Sequence, residues 1–85
     1  MASPYDDTPV NSREDFVHFL HLLYEDLLSN PQEWENRTLE SFLEAMGAYA
    51  QDIDGYYRNM KPDQDANKPS WQRFTDIIRG ATMYE

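Results

Sequence analysis

His18, His21 and Glu25 fall at steps of three and four, so a helix brings two imidazoles and a carboxylate to one face, a set able to hold zinc. The same positions form the polar face opposite Phe16, Leu20 and Leu27, and no further ligand is placed by the sequence, which favours a solvated face over a metal site. Asp63-Gln64-Asp65-Ala66-Asn67 opens like a calcium loop, with oxygen ligands at alternate positions. Lys68 then stands where the sharp turn needs glycine and Phe74 where a bidentate carboxylate belongs, so the segment reads as a surface loop. Asp52 and Asp54 precede Gly55-Tyr56-Tyr57, a grouping capable of acid–base chemistry. There is no cysteine, no serine in a nucleophile setting and no glycine-rich phosphate loop, and helix termination at Gly55 with packed tyrosine rings is the simpler reading. No catalytic residue, cofactor or metal is expected.

A different kind of chemistry is offered by Trp34, which stands between Glu33 and Glu35, with Glu40 and Glu44 one helical turn apart just downstream. Either the indole closes one end of a helical core, or it is a partly exposed anchor ringed by acids, since tryptophan and tyrosine dominate interface hot spots. Glu33, Trp34, Glu35, Glu40 and Glu44 are therefore the candidate protein-interaction residues. Trp71 divides between core and surface in the same way.

The 85 residues carry a formal charge of −9 and allow one core. The excess is uneven: residues 1–44 hold ten acids against two arginines, whereas residues 45–85 hold six acids against five cations. Such a charge disfavours nucleic acid and anionic lipid and suits a basic protein partner. Without cysteine, the core must come from apolar packing, helped by two Trp, six Tyr and four Phe. No apolar run approaches the roughly 20 residues of a membrane span, and the polar, acidic start does not read as a secretory signal; a soluble, cytoplasmic protein is expected.

The elements that must position these groups are helices. Residues 1–11, with Pro4 and Pro9 and no periodicity, read as a flexible leader, and residues 12–85 as a single helical domain. Ser12 caps a first helix with the stripe Phe16, Phe19, Leu20, Leu23 and Leu27, flanked by Val17, Tyr24 and Leu28. Asn30-Pro31 stops it, and Asn30 can cap a short helical turn over 31–35. Thr38 caps a second helix with the stripe Leu39, Phe42, Leu43, Met46, Tyr49, Ala50 and Ile53, ending or distorting at Asp54-Gly55; Gly47 suggests a close approach by another backbone. After a loop over 58–69, Ser70 caps a third helix with Trp71, Phe74, Ile77, Ile78 and Ala81 on its apolar face. The predicted fold is all-α: a small antiparallel three-helix bundle with a short extra helical turn between helices 1 and 2.

The run Arg13-Glu14-Asp15-Phe16, Asn30-Pro31-Gln32-Glu33-Trp34-Glu35-Asn36, Thr38-Leu39-Glu40-Ser41-Phe42-Leu43-Glu44-Ala45-Met46, Gly55-Tyr56-Tyr57-Arg58-Asn59, Pro69-Ser70-Trp71 and Tyr84-Glu85 resembles a family of short bacterial proteins catalogued as a domain of unknown function. The resemblance covers residues 12–85, with a longer linker before Pro69, and implies a bacterial helical domain without implying a mechanism. The expected function is a protein–protein interaction module, of immunity or regulatory-adaptor type, acting as a monomer or weak homo-oligomer. The alternative is a small ligand- or metal-binding enzyme using His18, His21, Asp52 or Asp54.

Overall fold

The computed structural model describes residues 3–6, 8–63 and 65–84; Met1, Ala2 and Asp7 of the expected leader, Gln64 of the loop and Glu85 lie outside them. Three α-helices form, α1 Arg13–Ser29, α2 Leu39–Met60 and α3 Trp71–Ala81, with a 3-10 turn Pro31–Glu33 between the first two. Their starts follow from side-chain caps. The Ser12, Thr38 and Ser70 hydroxyls accept from the N–H groups of Asp15, Ser41 and Arg73 at 3.0–3.1 Å. Asp15 completes the first cap by accepting from Asn11 N at 3.1 Å, one residue earlier than in the usual reciprocal box. Pro31 ends α1 as expected, but Asn30 does not cap the 3-10 turn. Its side-chain amide donates back to Asp26 Oδ1 at 3.2 Å.

The helices make a small bundle in which α3 is the shared partner. Contacts between α2 and α3 run antiparallel: Tyr49 lies against Gly80 and Tyr84, while Tyr57 reaches Asp76 and Arg73. On its other side α3 meets α1, where Phe16 packs on Trp71 with ring centroids 5.3 Å apart. The backbones of α1 and α2 bring no Cα atoms within 8 Å of one another.

Four expectations need correction. First, α2 passes through Asp54-Gly55 without distortion and continues to Met60, because Ile53 and Tyr57, one turn apart, are both buried and an Asp54–Arg58 pair at 3.3 Å spans the glycine. Their burial outweighs the roughly 1 kcal/mol that a mid-helix glycine costs. Second, Gly47 meets nothing; the close approach is at Gly80, where a Cβ would fall inside the Tyr49 ring.

Third, α3 buries a polar face. Thr75 and Asp76 are buried, with Thr82 just beyond, while Trp71 and Phe74 are partly exposed. The polar atoms are satisfied internally: Thr75 Oγ1 donates to Trp71 O at 2.9 Å, and Asp76 accepts from Tyr57 Oη at 2.7 Å and Gln72 Nε2 at 2.9 Å. Fourth, Leu20 and Leu43, placed in the core by their periodicity, are exposed.

The leader segment also takes a defined place. Val10 joins Phe19, Leu23 and Trp34 in the buried cluster, and its N–H donates to Gln72 Oε1 at 2.7 Å. Further back, Pro4 O accepts from Arg79 Nε at 2.7 Å and the Tyr5 hydroxyl lies 3.1 Å from that of Thr82.

Candidate functional site

Helix α1 carries more apolar width than one neighbour covers. Phe19 and Leu23 are buried, with Phe16 and Leu27 packed against them. Beside that row, Val17, Leu20, Tyr24 and Leu28 recur at steps of three, four and four and stay exposed. Helix α2 repeats the arrangement. Phe42, Ala45, Tyr49, Ile53 and Tyr57 point inward, whereas Leu39 and Leu43 are 73% and 52% exposed.

With no Cα pair of α1 and α2 within 8 Å, Leu20 and Tyr24 of the α1 row and Leu39 of the α2 row border an open groove of about 480 Å³. Leu20, Tyr24 and Leu27 form one wall and Leu39, Phe42 and Met46 the other, over a floor of Leu23, Trp34 and Ile78. The connector 34–38 closes one end. It is held to the end of α3 by Glu35 and Asn36 N–H groups donating to Thr82 O at 3.0 and 3.1 Å, and by the Asn36 side chain donating to Ala81 O at 2.9 Å. Arg37 is the one charged side chain among the described residues lining the groove.

Trp34 is buried, stacked on Phe42 with centroids 6.2 Å apart, and its Nε1–H donates to Asp26 Oδ2 at 2.9 Å. It is a lid on the core. Of the two roles that its type and position allowed, that of an exposed anchor is excluded by this burial. Glu33, Glu35, Glu40 and Glu44 are exposed and form no ion pair among the described residues. Glu40 and Glu44 each follow an exposed leucine by one position, so they stand about 100° further round α2, away from the groove, where with Ser41, Ala45, Ala48 and Tyr84 they line a separate surface concavity. Sequence reasoning found these acids but missed their apolar neighbours, having assigned Leu20 and Leu43 to the core; the signal was the doubled stripe of α1.

The histidines and aspartates of the enzyme alternative are not brought together. His18 and His21 are exposed on α1, where His21 Nε2 lies 3.0 Å from Glu25. Asp54 is occupied with Arg58 on α2, and Asp52 accepts from the Tyr84 hydroxyl, a bond that holds this phenol above its ordinary pKa. Among the described residues no three His, Asp or Glu side chains are grouped to hold a metal ion. In the loop between α2 and α3, the Asp65 carboxylate accepts from Asn67 N at 2.9 Å and its carbonyl from Arg73 Nε at 2.9 Å, so these oxygens shape the turn.

The most perturbed tyrosine is Tyr57. Burial, and then the Asp76 carboxylate that accepts from it, push its phenol well above the ordinary range. No backbone strain marks any site: the described residues include neither a cis peptide nor a positive φ.

A family model described as a family of unknown function (DUF7660) matches residues 12–85. Neither the curated proteins nor the solved structures give a match.

Proposed function

Since the chain belongs to this family of unknown function, its role has to be argued from its own surface, and we propose that it is a protein–protein interaction module. It docks a partner on the α1/α2 side of the bundle. The observation that carries this reading is the groove where exposed Leu20 and Tyr24 of α1 face exposed Leu39 of α2, with Val17 and Leu28 on α1 and Leu43 on α2 extending the exposed apolar rows beyond it. Scattered apolar residues are normal on a surface, but contiguous apolar rows edged by polar residues mark interaction sites. The net charge of −9 attracts a basic partner at long range, and apolar contacts in the groove supply the holding energy.

No helix among the described residues is long and apolar enough to cross a membrane, so the exposed rows do not read as a membrane span. Affinity capture tests the proposal, comparing the unaltered chain with a Leu39→Ala/Leu43→Ala variant and an Asp63→Ser/Asp65→Ser variant at low and moderate salt. The expected result is a basic partner retained by the unaltered chain and the loop variant, released by salt, and lost by the leucine variant. Equal capture by the leucine variant would remove the groove from the interface.

A further inference from the structure

We propose that the concavity between the leader and α3 binds a small aromatic phosphomonoester, at a site that shares no lining residue with the α1/α2 groove. Residues 8–11, Lys61 just past α2 and the length of α3 as far as Arg79 line it. Its volume of about 940 Å³ falls within the roughly 300–1,000 Å³ of small-molecule sites. Two hydrogen bonds fix the leader side in advance: Val10 N–H donates to Gln72 Oε1 at 2.7 Å, and Arg79 Nε–H to Pro4 O at 2.7 Å.

Charge identifies the anion. Lys61, Arg73 and Arg79, three of the seven cations in a chain of net charge −9, line this one concavity, and Asp76 is the single acid among its described lining residues. That carboxylate is buried and already satisfied, accepting from Tyr57 Oη and Gln72 Nε2, with Arg79 Nη1 3.8 Å away. Lys61 and Arg73 form no ion pair among the described residues. Arg73 is nonetheless held in place: its Nε–H donates to Asp65 O at 2.9 Å and its guanidinium carbon lies 5.0 Å from the centroid of the Tyr57 ring, which leaves its terminal nitrogens to meet an oxyanion with two parallel bonds. Three cations against one carboxylate match a phosphomonoester of about −1.5 to −2, whereas a monocarboxylate compensates only part of the surplus. The net −9 repels extended polyanions such as nucleic acid, but within the roughly 8 Å screening length of physiological salt the lining charges govern a compact ion.

The aromatic part follows from the inverted face of α3. Because Thr75 and Asp76 are turned inward, Trp71 and Phe74 are left lining the concavity, meeting edge to face with centroids 6.1 Å apart while 37% and 42% of their surface stays exposed. Exposed ring surface beside cations is what a flat aryl group covers.

The test titrates the isotopically labelled full chain with naphthyl phosphate, followed by amide chemical shifts, and repeats it with inorganic phosphate, naphthoate and a glutamate-rich peptide. Lys61→Gln and Arg73→Gln remove cations from the site, the first at an exposed position; Arg37→Gln removes one that lies elsewhere. Saturable shifts are expected at Val10, Asn11, Lys61 and residues 70–74. Lys61→Gln and Arg73→Gln should each weaken binding at least about tenfold and Arg37→Gln should leave it unchanged, and inorganic phosphate and naphthoate should bind at least about tenfold more weakly than the ester. No saturable shift, or undiminished affinity in Lys61→Gln, overturns the proposal. An equal loss in Arg37→Gln means attraction by overall charge and overturns it too. Inorganic phosphate binding as tightly as the ester overturns the aromatic part, and naphthoate doing so overturns the phosphate. Tighter binding of the glutamate-rich peptide at the same amides assigns the concavity to an acidic protein segment and overturns the small-molecule site.

Discussion

The Trp34 indole nitrogen donates to the Asp26 carboxylate at 2.9 Å, fastening the turn after α1 to a residue eight positions earlier. The bond satisfies the polar edge of a buried ring whose face lies on Phe42. Trp34→Ala should cost roughly 3–5 kcal/mol through lost burial and the cavity left behind. Asp26→Ala, which orphans the indole N–H, should cost about 1–3 kcal/mol. Denaturant unfolding reads both, and a Trp34→Ala change that leaves the midpoint unmoved would contradict the lid.

The outer rows should be nearly silent in stability. Leu39→Ala and Leu43→Ala are expected to change unfolding free energy by no more than about 1 kcal/mol, against roughly 2–5 kcal/mol for the buried Leu23→Ala. His18→Ala and His21→Ala should stay within about 0.5 kcal/mol, as exposed positions do. If the α2 leucines prove as costly as Leu23, the groove is part of the core.

The two glycines should respond in opposite senses. Gly47→Ala adds a methyl where nothing lies within 4 Å and should stabilise α2 by up to about 1 kcal/mol. Gly80→Ala drives its methyl into the Tyr49 ring and should lower the melting temperature by forcing α2 and α3 apart. Thermal melts followed by circular dichroism distinguish the two.

Alkaline stability follows from Tyr57. Its phenol is raised above the ordinary value of about 10, so the folded chain keeps a proton that the unfolded chain releases. The contribution is therefore complete below about pH 10 and shrinks as pH rises beyond it. Tyr5 and Tyr49, raised chiefly by burial, add slopes of the same sign. The melting temperature should fall above about pH 10, and Tyr57→Phe should flatten that fall; an unchanged slope would contradict the assignment.

Capping chemistry made the helix starts legible, because Ser12, Thr38, Ser70 and Pro31 act through local backbone geometry. Which side of each stripe is buried was less so. Periodicity locates an apolar face but not how many neighbours cover it, and α1 carries a second apolar row that stays exposed. On α3 the reading failed for the opposite reason. Thr75 and Asp76 look like surface residues until the Trp71 carbonyl accepts from the one and Tyr57 and Gln72 donate to the other. The acids near Trp34 were visible as a charge cluster, whereas the groove between α1 and α2 depends on the tertiary spacing of two helices that bring no Cα pair within 8 Å.

The docking surface itself is tested most directly by chemical-shift mapping of the isotopically labelled chain, titrated with a captured partner. Shift changes and broadening are expected at Leu20, Tyr24, Leu27, Leu39, Phe42 and Met46. Changes confined to Asp63, Asp65 and Asn67, or to Trp71 and Phe74 on α3, would contradict the account.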